Sequence, residues 1–445
     1  MRNLLLAATA MLATLSLPAK AELPAPLLAK VNAAVDADSA RLTAIFKDLH
    51  ANPEIAFTET RTAAIVAKEL KALGFTVTTG IGKTGVVGVL RNGPGKTLWY
   101  RADMDANGVK EATGLPYAAT KPQKLADGSE QWAMHACGHD AHVTWLLGTA
   151  KAMVALKDAW SGTLVVYGQP AEEVGTGAQA MVQDGLLERG FPKPDFGMGS
   201  HTAPGPVGYV SNTAGVRMAG TDQLDVTFTG LGGHGSTPQM TIDPVVMAAQ
   251  AIMGYQTIIS RTVDPQTSAV LTVGAVEAGR DNNVIPASAT LKLNLRWFDD
   301  ATRNTLIKRI DEVSKGVAIG AGITDEAKMP KRVMKGNAGP LKNDAALVDI
   351  VNPGLTSLLG DGKVIGNFPA VMGSEDFQEV MNAAKVPYVF LLIGVAPMDR
   401  VVAAQKAGRP FPYSNHNPDF FVDLAAVPLG AKINTVAALS LLAKP

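Results

Sequence analysis

Thr163-Leu164-Val165-Val166-Tyr167-Gly168-Gln169-Pro170-Ala171-Glu172-Glu173 is an apolar run that leads, through a proline turn, into two adjacent carboxylates. Its length and its valines predict a strand buried on both faces, as in a parallel sheet. The exit then delivers Glu172 and Glu173 to the carboxyl edge, where open α/β sheets assemble their sites. Two other stretches repeat the device. Residues 97–100 run into Arg101-Ala102-Asp103-Met104-Asp105, and residues 196–200 deliver His201. Three strand ends bearing potential ligands at one edge predict an α/β domain with a mostly parallel sheet and helices on both faces.

The helices follow from apolar spacing. Residues 27–50 and 59–73 carry helical periodicity, the second ended by Gly74, and 141–157 is rich in Ala and Leu. Later come a helix over 344–359, a helix start at Gly373-Ser374-Glu375-Asp376-Phe377, a buried strand over 388–393 and a last helix over 424–442. Between 215 and 320 the pattern changes to strand (223–229), helix (244–260), two strands alternating in period two (269–278 and 289–298) and helix (301–318). This predicts a smaller α+β, ferredoxin-like insertion with its own sheet. The expected division is a leader over 1–21, a catalytic domain over 22–214 and 321–445, and the insertion over 215–320, with Gly215 and Gly320 as hinge points.

Forty basic and forty acidic residues balance, so composition points to neither nucleic acid nor a membrane surface. Met1-Arg2-Asn3, the apolar run 4–17 and Ala19-Lys20-Ala21 form a secretory signal with a small-x-small cleavage site. No later run reaches the roughly 18 apolar residues a span requires. The expectation is an exported protein, periplasmic or secreted, with no membrane attachment after cleavage.

The single cysteine lies in Met134-His135-Ala136-Cys137-Gly138-His139-Asp140. A lone Cys is by default a small buried hydrophobe. Here the histidine two residues on, and the oxidising compartment, favour a metal-held thiolate. Cys137 and His139 followed by Glu172-Glu173 suit a divalent ion that activates water, one Glu binding metal and the other moving protons. The alternative for the acidic pair is a solvated surface. Of the seven histidines, His139 and His201 stand out by their place at strand ends beside carboxylates, and His416, in the turn-rich loop Tyr413-Ser414-Asn415-His416-Asn417-Pro418, reads as a late ligand closing the site. Asp105 is expected to orient a ligand histidine. Asp103 and Asp140 could do this or hold local structure, and His135 and His142 look supportive. Glu375 and Asp376 open a helix, where the dipole favours carboxylates without any site role.

Together these motifs resemble peptidase family M20, the aminoacylase and carboxypeptidase metallopeptidases, and within it the amidohydrolase branch of hippurate and indole-acetyl-amino-acid hydrolases. The resemblance runs from Leu49-His50-Ala51-Asn52-Pro53-Glu54 through Arg101–Asp105, the Cys-Gly-His-Asp element, Gln169–Glu173, Gly232-Gly233-His234-Gly235, Asn283-Val284-Ile285-Pro286 and Gly373–Phe377 to the His416 loop. It implies two divalent metal ions of the Zn or Mn class held by Cys137, His139, Glu173, His201 and His416, with Glu172 as general base and acid and Asp105 in support. It also implies an insertion that acts as a lid and often as a dimer interface. There His234 would donate to the oxyanion in the transition state, while Asn283 and Arg296 would hold the substrate's free carboxylate; for Arg296 a surface charge is the alternative. The implied activity is hydrolysis of the amide bond of an N-acyl amino acid or short peptide. One departure is Ala106-Asn107-Gly108-Val109, where the family commonly continues Ala-Leu-Pro; this loop is expected near the site, where it would alter acyl preference. The rivals are a dipeptidase, aminopeptidase or carboxypeptidase of the same family, a silent relative, and a non-catalytic exported binding protein, which would need no such constellation.

Overall fold

In the computed structural model, residues 22–444 are described; the expected leader over 1–21 lies outside the described residues. The strands Thr97–Asp103 and Gly162–Gln169 are buried along their whole length and pair in parallel, Trp99 opposite Val165 and Asp103 opposite Gln169. They sit inside an eight-stranded sheet of order Thr76–Ile81, Gly85–Asn92, Gly162–Gln169, Thr97–Asp103, Phe196–Pro206, Tyr388–Ala396, Val210–Ser211, Val364–Ile365. The central block, from Gly162–Gln169 to Tyr388–Ala396, is parallel throughout. Antiparallel pairs flank it on both sides. Parallel alignment puts the exits of these strands at one edge, which is why carboxylates far apart in sequence meet there.

Helices cover both faces. On one side Ser39–Ala51, Thr60–Ala72, His139–Ala155, Ala345–Leu359 and Ala426–Leu441 bury Phe46, Leu70, Leu147, Leu355 and Val436 against Leu98, Tyr100 and Val166. On the other, Gly177–Gln183 and Phe377–Ala384 set Met181, Phe377 and Met381 against Trp99 and Tyr167. Helix His139–Ala155 is buried almost all round. It lies so close to Ala426–Leu441 that a Cβ on Gly430 would sit 2.2 Å from the Trp145 indole. The apolar run expected as one helix over 27–50 is two, Ala25–Asp36 and Ser39–Ala51. Both halves carry apolar residues into the same core, so periodicity hides the break; Asp38 marks it, turned inward to Arg41 (2.7 Å) and Lys151 (2.5 Å).

The second sheet is antiparallel, of order Val270–Ala278, Ser288–Trp297, Gly220–Thr229, Lys331–Ala338, with helices Pro244–Arg261 and Asp300–Gly320 packed over a core of its own. The chain order β-α-β-β-α-β is the ferredoxin-like arrangement. This unit runs past the expected end at Gly320, because Lys331–Ala338 pairs with Gly220–Thr229, Asp222 opposite Asn337. That strand, Lys-Arg-Val-Met-Lys-Gly-Asn-Ala, is mostly exposed or half-buried, so no apolar run announced it.

Candidate metal centre

The Cys137–His139 segment ends a loop and begins a helix. Gly138 takes φ 82° as the residue before helix His139–Ala155, and a Cβ there would meet Thr202 at 2.6 Å. Glycine is needed for both the left-handed turn and the close approach, and the turn presents Cys137 and His139 to the edge where His201 leaves its strand. Cys137 Sγ lies 3.3 Å from His201 Nε2. The other ring nitrogen, Nδ1, donates to Thr202 O (2.7 Å), which turns Nε2 toward the sulfur. Asn415 Nδ2 reaches Sγ at 3.5 Å. Burial and the nearby Glu173 charge would raise the thiol, but His201 and His139 outweigh them and bring it down to about 5. Burial opposes protonation of His201 and His139, yet the Cys137 thiolate and Asp103 push His201 up to about 9, and Asp103, Asp105 and Cys137 push His139 well above its usual value.

Glu172 and Glu173 follow Ala171, whose φ of 52° is unusual for a non-glycine residue. Their turn is held by Asp105, whose Oδ1 accepts the Glu172 N–H and whose Oδ2 accepts the Glu173 N–H, both at 3.0 Å. Asp105 Oδ1 is also 3.4 Å from His139 Nδ1, so one buried carboxylate positions both carboxylates and borders the histidine. Glu173 Oε2 lies 3.2 Å from His416 Nε2 and Oε1 lies 3.6 Å from His139 Nε2. Although burial opposes ionisation, these histidines hold Glu173 down to about 2. Glu172 goes the other way: burial, then the charges of Glu375 and Glu173, hold it well above the usual carboxylate range. Neighbouring carboxylates with pKa values driven apart are the pattern of a proton carrier beside a fixed anion.

Behind them lies a cluster the sequence reading did not assemble. Arg101, fully buried, uses all five donors: Nε to Gln169 Oε1 (3.1 Å), Nη1 to Asp103 Oδ2 (2.7 Å) and Glu375 Oε2 (3.1 Å), Nη2 to Glu375 Oε1 (2.8 Å) and Asp376 Oδ1 (3.3 Å). Glu375 and Asp376 are therefore partners of a buried cation rather than simple helix openers. Glu375 Oε1 does accept the Asp376 and Phe377 N–H groups as well, at 2.8 and 3.0 Å. The signal was present in Arg101 itself, a charge inside a strand that is buried along its whole length. His142 accepts the Thr202 N–H at Nε2 (2.8 Å) and donates from Nδ1 to Asp103 Oδ1 (2.5 Å), a bracing role. His50 bonds Asp140 (2.6 Å) and Glu111 (3.2 Å), away from the donor set. His135 is buried with neither ring nitrogen bonded among the described residues.

A cavity of about 560 Å³ opens over the centre. Cys137, Glu172, Glu173, His201 and His416 form one wall; Thr221, Gln223, Arg296 and Ala338 of the second sheet face it, and Met218, Phe368, Val371, Leu392 and Phe411 give it an apolar flank. Arg296 thus points into the site, close enough to Glu172 for their charges to interact. His234 and Asn283 do not line this cavity. They lie together on an exposed two-stranded ribbon, Gly233–His234 against Val284–Ile285, with His234 Nδ1 accepting from Ser236. The loop Ala106-Asn107-Gly108-Val109, which follows Asp105, does not line the cavity either: Ala106 and Asn107 are tied by bridges to Ile55 and Met134.

The donor set fits a cation. Both His139 ring nitrogens and Glu173 Oε1 are buried without a hydrogen bond among the described residues, and donor atoms of Cys137, His139 and Glu173 lie within 4.8 Å of one another. An unsatisfied buried polar atom costs about 1–3 kcal/mol, a cost that coordination removes. A second grouping, Asp103, His139, His142 and His201, is equally close. Its Asp103 and His142 are already bonded to Arg101, Thr202 and each other, which leaves them as support.

Residues 99–434 match the model of peptidase family M20/M25/M40. The chain belongs to this family. It is 40% identical over 345 residues to the hippurate hydrolase of Campylobacter jejuni, covering 77% of this chain and 85% of that one. It is 34% identical to the IAA-amino acid hydrolase ILR1-like 4 of Arabidopsis thaliana (88% and 84% covered) and 32% identical to the N-acetyl-L-cysteine deacetylase of Bacillus subtilis (87% and 85%). Among solved structures, the YXEP protein of Bacillus subtilis, described as a dinuclear metal-binding M20 peptidase, superposes with a TM-score of 0.71 at 26% identity, covering 92% of this chain and 99% of that one. Both the amidohydrolase branch and the α/β architecture expected from the motifs are borne out. This M20 member is a metal-dependent hydrolase of amide bonds.

Proposed function

We propose that this protein hydrolyses the amide bond of N-acyl amino acids or short peptides that end in a free carboxylate. Cys137, His139, Glu173, His201 and His416 would hold two divalent ions of the Zn or Mn class. Such ions, when bound, lower the pKa of water toward about 7 and polarise a carbonyl. Glu172 takes the proton of the attacking water as the C–O bond forms, and returns it to the amide nitrogen as the C–N bond breaks. Asp105 holds the backbone turn that carries Glu172 and Glu173. The observation that carries the reading is the partly buried Glu172 carboxylate, set on one cavity with the donors Cys137, Glu173, His201 and His416 and facing Arg296.

Arg296 supports a substrate with a free carboxylate over one read by its free amine. The fixed carboxylate that also lines the cavity, Glu375, is saturated by Arg101 and backbone donors. Hydrolysis by hippurate and IAA-amino acid hydrolases, as their names state, supports the same class. His234 and Asn283 lie outside this chain's own cavity, so their service to the substrate requires movement of the second sheet or a second copy; a homodimer through that domain is part of the proposal. Export to the periplasm or medium rests on residues 1–21. The test is a panel of N-acyl amino acids and dipeptides with metal-loaded wild type and Glu172→Gln. Turnover lost in the variant, with metal retained, is expected; equal turnover by both would refute the assignment of Glu172.

A further inference from the structure

Among the described residues Arg296 is the one arginine or lysine lining the cavity, and the structure specifies what holds it there. Its Nε donates to Asn294 Oδ1 (2.8 Å) and its Nη1 to Ser374 Oγ (2.5 Å). Nη2 has no protein partner among the described residues. Asn294 is held in turn, its amide donating to Thr221 Oγ1 (3.3 Å) on the neighbouring strand, where Thr221 stands opposite Arg296. Ser374 belongs to the loop before Phe377–Ala384. That loop is pinned to the root of the second sheet: the Ala219 N–H lies 2.9 Å from Gly373 O and 3.0 Å from Val371 O, and Met218 bridges Val371. One edge of the guanidinium is thus committed to Asn294 and another to a loop of the main domain, while the remaining edge is left for an anion. A guanidinium so fixed presents parallel N–H groups to a carboxylate without first losing the rotamer freedom of a loose arginine.

We infer that Ser374 and Asn294 are positioning residues that set Arg296 as the reader of the substrate's carboxylate, so that specificity for acids is built at the root of the second sheet and depends on a hydroxyl from the other domain. This rests on the reading of Arg296 given above. The arrangement also explains why the grip sits at the root and not at the exposed far ribbon of His234 and Asn283: the root is where the two domains are tied by backbone bonds, so the distance from the carboxylate reader to Glu172 is fixed.

The test is steady-state kinetics with an N-acyl amino acid that the metal-loaded enzyme hydrolyses and with the same compound amidated at its carboxylate. For Ser374→Ala, KM for the acid rises roughly tenfold, about the value of one hydrogen bond. At the same time kcat changes less than twofold and KM for the amide stays put. Asn294→Ala behaves likewise, and Ser374→Thr, which keeps a hydroxyl, restores the preference for the acid. A merely structural role would raise both KM values together and overturn the inference, as would an acid-to-amide ratio unchanged in both Ala variants. If wild type itself takes acid and amide equally well, the carboxylate reading of Arg296 fails first and this inference with it; a strong wild-type preference that survives Ser374→Ala and Asn294→Ala removes the inference alone.

Discussion

Asp105→Asn separates the support of the centre from its donors. The carboxylate is fully buried and accepts two backbone N–H groups at 3.0 Å, one on each oxygen. Asparagine preserves the volume but has one acceptor. Whichever way the amide is flipped, its NH2 faces either the Glu172 or the Glu173 N–H, so one bond to a charged acceptor is replaced by a donor–donor contact. A bond of that kind is worth about 1.5–3 kcal/mol, and the stranded N–H adds to the loss. The turn it anchors contains Ala171 in a left-handed conformation, which has little local preference to stay there. The expected outcome is therefore a fall of roughly 2 kcal/mol in unfolding free energy and a 10–100-fold loss of metal affinity, the usual range for an outer partner. Urea unfolding followed by circular dichroism reads the first, and competition with a chromophoric chelator reads the second. A variant that binds metal as tightly as wild type would refute the claim that Asp105 positions Glu173 and borders His139 for a common purpose.

Other perturbations have distinct signatures. Glu172→Gln should lower kcat by about 10²–10⁴ with metal stoichiometry unchanged, read by kinetics and elemental analysis. Chelation of the loaded protein should lower its thermal midpoint, read by calorimetry; Cys137→Ser should weaken metal binding most above pH 5, where a thiol brought down to about 5 is already a thiolate, with the gap narrowing at lower pH, read by metal titration. His50 is buried, and despite the burial its bonds to Asp140 and Glu111 push it up to about 9 from 6.5. Because the folded value is the higher one, its contribution of roughly 3 kcal/mol is complete below pH 6.5 and is lost as pH rises through about 9. Urea midpoints between pH 6 and 9.5 should fall more steeply in wild type than in His50→Gln. Gly430→Ala should cost about 1–3 kcal/mol by overpacking against Trp145, seen as a lower thermal midpoint.

The parts of this protein that the chain announces are those governed by local pattern. The valine-rich strand before Glu172, the strand before Asp103 and the Gly138 turn are each specified by neighbours in sequence, and the amphipathic helices of the second domain are equally plain. What could not be read depends on pairings across the chain. Lys331–Ala338 carries its lysines and arginine on an exposed edge and only its partner Gly220–Thr229 makes it a strand. His201 was placed by the strand that ends in it, whereas His234 and Asn283 were named by resemblance alone, with no local pattern to place them, and they lie at an exposed ribbon off the cavity. The roles of Glu375 and Asp376 depend on an arginine 274 and 275 residues away in sequence.

That arginine bears on why two neighbouring carboxylate groups at one sheet edge behave differently. Asp103, Glu375 and Asp376 surround Arg101, every donor of which is used, and stripping a charge from such a buried set would cost about 3–5 kcal/mol. One cation balances only one of the three charges; burial and the Glu375 charge push Asp376 up to about 8, so it keeps its proton at neutral pH. A few ångströms away, Glu173 Oε1 and both His139 nitrogens are buried without a hydrogen bond among the described residues, although carboxylate oxygens stand 3.4–3.6 Å from the ring. Atoms buried without a hydrogen bond beside a fully bonded cluster suit a cation that arrives from outside, and Glu172, between the two sets, is the carboxylate that burial and its acidic neighbours dispose to hold a proton.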